Sequence, residues 1–160
     1  DEDAPLLSAL KAKRRALAEQ QKVPAYIVFN DKTLIEMVER RPVTLDAMAS
    51  VGGVGAKKLE SYGQAFLSVI TGAEIPVHPT RRKMAGRLEA DVFDQLVAQQ
   101  KGLERGMFED KKLLTCSTAT LRNILQVRPK SIEQLAQITG MNPARTERFG
   151  AAFMKILLSL

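Results

Sequence analysis

The 160-residue chain has no tryptophan, one cysteine and one histidine, and its aromatics amount to 5%. Each scarcity excludes something. So few aromatics argue against a β-sandwich, whose strands draw on Tyr, Trp and Phe. One cysteine forms no internal disulfide, and Cys116 with His78 falls short of the four ligands of a structural zinc site. A reducing, intracellular setting fits this usage. A Ser/His/Asp or Cys/His device would have to use His78, which lies between Pro76 and Pro79 in an irregular stretch. The glycine-lysine run 52–58 lacks the spacing of a phosphate-binding loop. The acid pairs Glu2-Asp3 and Glu109-Asp110 have no further metal ligands nearby. No self-contained enzyme, cofactor, metal or small-molecule substrate is expected. No stretch approaches the ~20 apolar residues of a membrane helix, and no leader is visible. Asp1 rather than Met at the start suggests a fragment or a processed product.

Hydrophobic residues at 45% and charged residues at 26% are enough to bury a core. The length by itself suggests one domain. The net charge of +6 raises nucleic acid as a partner.

An internal repeat divides the chain. Thr33-Leu34-Ile35-Glu36-Met37 aligns with Thr120-Leu121-Arg122-Asn123-Ile124 at an offset of 87 residues. The same offset pairs Arg41-Pro42 with Arg128-Pro129, Gly53 with Gly140, Tyr62 with Phe149 and Phe66 with Phe153. Upstream the offset is 86, pairing Leu10 with Leu96 and Leu17 with Leu103, so one residue has been inserted between the first two helices. The organisation read from this is a unit at 1–73, a linker at 74–83 without helical period, and a second, diverged unit at 84–160.

Both units read as all-α. Leu6, Leu7, Leu10, Arg14 and Leu17 mark one face of a helix running to about residue 21. Asn30 caps a second helix that stops near Arg41-Pro42, and Thr44 caps a short third. The glycine turn 52–55 ends it, and a fourth helix buries Leu59, Tyr62, Phe66, Val69 and Ile70. In the second unit Ser117 and Ser131 are the caps, and Asn142-Pro143 opens the last helix. Tyr26-Ile27-Val28-Phe29 is the one strand-like run, too short and isolated to build a sheet. Cys116 aligns with Phe29 and reads as core, the six methionines as core filling, and His78 as a linker residue.

Three features could carry function. Gly53-Val54-Gly55 followed by Lys57 and Lys58 at a helix start could cradle a phosphate, or could be only a tight turn. Tyr26 could stack on an unpaired base, or could cover the end of the bundle. Lys11, Lys13, Arg14, Arg15 and Lys22 cluster on and after the first helix, as a binding patch or a solvated face. The charge is uneven: 1–73 carries ten basic and nine acidic residues, 74–83 three and one, and 84–160 eleven and eight. The second unit has Leu113 in place of Tyr26 and Gly140-Met141-Asn142-Pro143 in place of the glycine turn.

The runs 23–31, Thr33-Leu34-Ile35-Glu36-Met37, Arg41-Pro42 and Gly53-Val54-Gly55-Ala56-Lys57-Lys58-Leu59-Glu60-Ser61-Tyr62-Gly63 strongly resemble the HRDC domain. That module is found at the C-terminus of RecQ helicases and of ribonuclease D. The V-P-x-Y run joined to G-V-G-x-K-K-L-E is similar to the bacterial RecQ version. The likeness covers nearly all of residues 4–72, and residues 87–160 resemble the same domain more distantly. It implies a compact bundle of about five short helices per unit, one of them drawn from 23–29. It also implies a non-catalytic accessory module of an ATP-dependent DNA helicase acting in DNA repair and recombination, in the bacterial cytoplasm at the nucleoid. The expected partners are single-stranded or branched DNA and the rest of the helicase chain. The tyrosine of V-P-x-Y is associated with single-strand binding, a role that falls on Tyr26 with Arg14, Arg15 and Lys22 of the basic cluster, to which Lys11 is added as a candidate. Gly53, Gly55, Lys57 and Lys58 complete the candidate surface. Two other readings stand beside it: a protein-docking module, at least for 84–160, and the C-terminal region of a ribonuclease D-like exonuclease.

Overall fold

The computed structural model describes residues 3–74 and 76–160, all of whose regular structure is helical. Glu2, paired with Asp3 in the sequence, lies outside the described residues. The chain divides into two compact units, 1–87 and 88–160.

In the first unit α1 spans Asp3–Gln21, α2 Ala25–Val28, α3 Asp31–Arg40 and α4 Leu45–Met48. Helix α5 covers 56–71 and contains a π-helical turn at Leu59–Gly63. Helix α1 packs on α2, α3 and α5 around Leu10, Phe29, Leu34, Met37, Met48, Leu59 and Phe66. The caps follow the sequence: Asn30 Oδ1 accepts from Thr33 N at 2.8 Å and Thr44 Oγ1 from Ala47 N at 3.0 Å. Arg41 closes α3 with φ of 44°, a left-handed stop just before the buried Pro42, which the helix could not have continued into.

Three first-unit readings change. The strand-like run at 26–29 lies in the helix α2 and its extended C-cap Phe29, with Val28 and Phe29 buried and Tyr26 and Ile27 outside. The short helix that the resemblance draws from 23–29 is there, and a single turn displays too little periodicity to be told from a strand by spacing. Within the glycine turn only Gly53 takes a positive φ, 86°, while Gly55 sits at −76° as the N-cap of α5. The stretch read as lacking helical period contains α6, Pro79–Met84, with Pro79 at its first position and His78 as its cap. His78 Nδ1 accepts from Thr80 N at 3.1 Å. Helix α6 straps onto the first unit: Arg81 grips Asp46 at 2.5 Å, Gly86 N donates to the same carboxylate at 2.9 Å, and Ala85 joins the core.

In the second unit α7 spans Leu88–Leu103, α8 Thr118–Val127, α9 Ile132–Ala136 and α10 Pro143–Leu158. Helix α10 packs on α7 and α9, and Phe149 stacks on Phe153 with centroids 5.5 Å apart. Ser117, Ser131 and Asn142 cap as expected. Gln134 reaches back to Lys130 N at 2.8 Å, one residue before the Ser131 cap. The second unit shows four helices among the described residues, because the stretch aligned with α2 runs without helical structure. Cys116 is buried at the Phe29 position, and burial pushes its thiol pKa up. Four methionines are buried, whereas Met107 stands 77% exposed and is not core filling.

The repeat is also one of contacts. Thr33 and Thr120 are both buried, and each packs its hydroxyl against a left-handed glycine, Gly53 or Gly140, where a Cβ would collide with it. Such a glycine is required twice over, by backbone and by space.

Candidate nucleic-acid interface

Tyr26 is 66% exposed on α2. Exposing a ring on a one-turn helix needs that turn to be held from beneath, and three contacts do so. Phe29, the C-cap of α2, is buried edge-on against Phe66 at 4.9 Å and Tyr62 at 6.0 Å. Arg14 of α1 donates from Nη1 to the Phe29 carbonyl at 3.1 Å and to Asp31 Oδ1 at 2.7 Å. Lys58 of α5 places its ammonium 5.9 Å from the centre of the Phe29 ring.

The candidate residues divide by what their side chains already hold. Arg14 is only 13% exposed and occupied, so it positions α2. Its hydrogen bond and charge hold the Asp31 carboxyl below the usual range, with Lys11 adding to the effect. That places exposed Lys11 within electrostatic reach of the same corner. Arg15 is exposed and pairs with Glu19 at 3.2 Å, a contact one turn apart on a solvated face. Lys22 ends α1 with φ of 57°, and Val23 N bonds to Ala18 O at 3.0 Å across it, the closure that glycine usually makes. A lysine in that strained conformation stands directly before the α2 segment.

The glycine turn is anchored to α3. The Glu36 carboxylate accepts from Gly52 N at 2.6 Å, Arg40 bonds the Ser50 carbonyl at 2.6 Å, and Thr33 Oγ1 donates to Gly52 O at 2.9 Å. The Gly52 N–H, and after it Arg40, keeps the Glu36 carboxyl below its ordinary pKa. Gly53 thereby has a structural reason. Gly55 has none, since its φ suits any residue and a Cβ there would meet nothing within 4 Å. It opens the turn that carries exposed Lys57 and half-buried Lys58.

The structure therefore brings Arg14 and Lys58 to the C-cap of α2, below the exposed Tyr26, with Lys11 near enough to Asp31 to act on its charge and Lys22 leading into α2. Sequence reasoning missed Phe29 as the anchor of this corner and Asp31 as Arg14's partner. A signal for the second was present: Arg14 lies four residues after Leu10 and three before Leu17, on the apolar face of α1.

The corner is rebuilt in the second unit. Leu113, at the Tyr26 position, is exposed but lies outside any helix. Arg145, at the Lys58 position, bonds the carbonyls of Thr115 at 2.9 Å and Gly140 at 3.1 Å. Asn123, at the Glu36 position, donates to Thr139 O at 3.2 Å.

The model of the HRDC domain matches residues 3–70 and 115–157, well over half of the chain. The chain belongs to the HRDC domain family. Over 68 residues it is 43% identical to the ATP-dependent DNA helicase RecQ of Pasteurella multocida, a match covering 42% of this chain and 11% of that one. Over 72 residues it is 44% identical to the ATP-dependent DNA helicase UvrD2 of Mycobacterium tuberculosis, covering 45% of this chain and 10% of that one. Identity to RecQ of Bacillus subtilis is 41% over 69 residues, 43% of this chain and 12% of the relative. The HRDC chain thus spans about a tenth of the length of the curated relatives it matches. No solved structure gives a significant match. No helix among the described residues is long and apolar enough to cross a membrane.

Proposed function

We infer that this HRDC pair is a non-catalytic accessory region of a RecQ- or UvrD-type ATP-dependent DNA helicase, whose first unit binds single-stranded or branched DNA during repair and recombination. The observation that carries the reading is Tyr26: an aromatic ring exposed to water on a helix of one turn, fixed by the buried Phe29 and the Arg14 tie. A ring held in this way can stack on any unpaired base, which contributes about 1–3 kcal/mol per base without regard to sequence. Lys11, Lys22, Lys57 and Lys58 supply charge for the backbone of the strand, and Arg15 lies on an exposed face of α1. Gly55 leaves the start of α5 open to close approach. Arg14 acts through α2 and not on the phosphate. The partners that follow are the DNA strand and the rest of the helicase chain, in the bacterial cytoplasm at the nucleoid.

Titration of a labelled oligonucleotide into the whole chain tests this by fluorescence anisotropy. Binding on the order of 10⁻⁴–10⁻⁶ M that weakens with salt is expected. Tyr26→Ala should weaken it about five-fold or more, and Tyr26→Phe should retain most of it. Equal affinity of wild type and Tyr26→Ala would remove the tyrosine from the site.

A further inference from the structure

The second unit hides its aromatics in the core with one exception. Phe108 is 83% exposed, beside the exposed Met107, in the connection between α7 and α8. The corresponding connection of the first unit carries Tyr26. We propose that this connection is a second, displaced stacking platform for single-stranded nucleic acid, with Phe108 as the ring and Arg105, Lys111 and Lys112 as the phosphate-facing charges.

The loop is built to hold its shape. Leu114 N bonds Glu104 O at 2.8 Å and Lys111 N bonds Arg105 O at 3.0 Å, closing it on itself. Gly106 turns it with φ of 82°, and Glu109 takes the same left-handed region at 58°. Arg148 of α10 staples both ends, its Nη1 donating to Glu104 O at 2.9 Å and Lys112 O at 2.6 Å. The first unit has Ser61 at that position, so the staple belongs to this loop alone. Ordering a segment that leaves a phenyl ring and a thioether in water opposes the hydrophobic effect, and such patches mark binding surfaces. Arg105, Lys111 and Lys112 are exposed and make no ion pair among the described residues. Glu104, Glu109 and Asp110 share the loop with the three basic residues, so it carries no net charge and stacking leads over phosphate attraction. A displaced platform also accounts for the absence of an aromatic at Leu113, which the repeat alone would lead one to expect there.

The proposal rests on the single-strand reading above, and its test separates the two. The chain contains no tryptophan, so Phe108→Trp introduces a single reporter at an exposed site where the fold is not at stake. An oligo-dT of ~20 nucleotides, longer than the stretch one small domain occupies, is titrated into the whole chain. A saturable, salt-sensitive quenching of the indole, with Phe108→Ala weakening binding about five-fold, is expected. Unchanged emission while the oligonucleotide binds through Tyr26 overturns this platform and leaves the first-unit reading intact. Quenching that survives Tyr26→Ala supports the platform whatever becomes of the tyrosine. Emission that shifts with protein concentration alone overturns it in favour of self-association, and no binding at all overturns both readings.

Discussion

Arg14 Nη1 lies 3.1 Å from the carbonyl oxygen of Phe29 and 2.7 Å from Asp31 Oδ1, so one guanidinium joins the middle of α1 to the end of α2 and the start of α3. The carbonyl belongs to a buried residue, and losing its donor leaves it without that partner. Arg14→Met should therefore destabilise the first unit by about 1–3 kcal/mol in urea unfolding. Nucleic-acid affinity should fall with it, through the loosening of α2 that Arg14 holds. A fall in affinity at unchanged stability would instead make Arg14 a direct contact.

Lys22 separates stability from binding. A lysine at φ of 57° is strained relative to glycine by about 1 kcal/mol. Lys22→Gly should raise the thermal midpoint and lower affinity for single strands, mainly at low salt. A variant both more stable and equally tight would place Lys22 outside the interface.

The glycines of the 52–55 turn have different reasons and should fail differently. Gly53→Ala meets the Thr33 hydroxyl in a left-handed backbone and should cost about 2 kcal/mol or more. Gly55→Ala removes a favoured N-cap residue and should cost about 0.5–1 kcal/mol, well below Gly53→Ala, and a loss of affinity with the fold retained reads on close approach of a strand. Denaturation and anisotropy on both variants check this.

Gly63 and Gly150 align in the repeat yet occupy unlike surroundings. A Cβ on Gly63 would come 2.8 Å from Leu59 Cδ1 and 3.2 Å from Leu45 Cδ2, inside the π turn, whereas on Gly150 the nearest atoms are at 3.6 and 3.8 Å. Gly63→Ala should destabilise the first unit, and Gly150→Ala should stabilise the second by about 0.5–1 kcal/mol. Calorimetry of the whole chain would register the two shifts in opposite directions.

Acid should loosen the first unit through three carboxylates. Asp31 is held low by Arg14, and Glu36 by the Gly52 N–H and Arg40. Burial works to raise the Asp46 pKa, but Arg81 and the Gly86 N–H outweigh it and the value is lowered. Depressed values mean stabilisation that is complete above the ordinary 4.5 of glutamate and 3.8 of aspartate and is lost as pH falls below them. The melting temperature should drop below about pH 4.5, and the gap between wild type and Asp46→Asn should close over the same range.

Caps, helix ends and the repeat were legible because each is a local rule: a short polar side chain before a helix, a proline after a left-handed residue, a glycine against a threonine. Helix α2 was not legible from periodicity, since four residues do not complete a period. The presentation of Tyr26 was only half visible. Its motif marked the tyrosine, but whether the ring faced inward or out depended on Phe29, whose burial is a tertiary fact. The Arg148 staple and the exposed Phe108 depend on atoms 36 to 44 residues apart in the chain, beyond the reach of any spacing rule.

Helix α6 alters what the repeat length means. The offset between the copies is 87 residues, and the first compact unit ends at Arg87. Residues 76–87 thus belong to the first compact unit and pack on its core through Ala85. A fragment designed to stop at residue 73 would strip Asp46 of both donors and open the side of the core that Ala85 covers. Anyone expressing the first HRDC unit by itself should cut after Arg87, where the fold changes hands across one peptide bond.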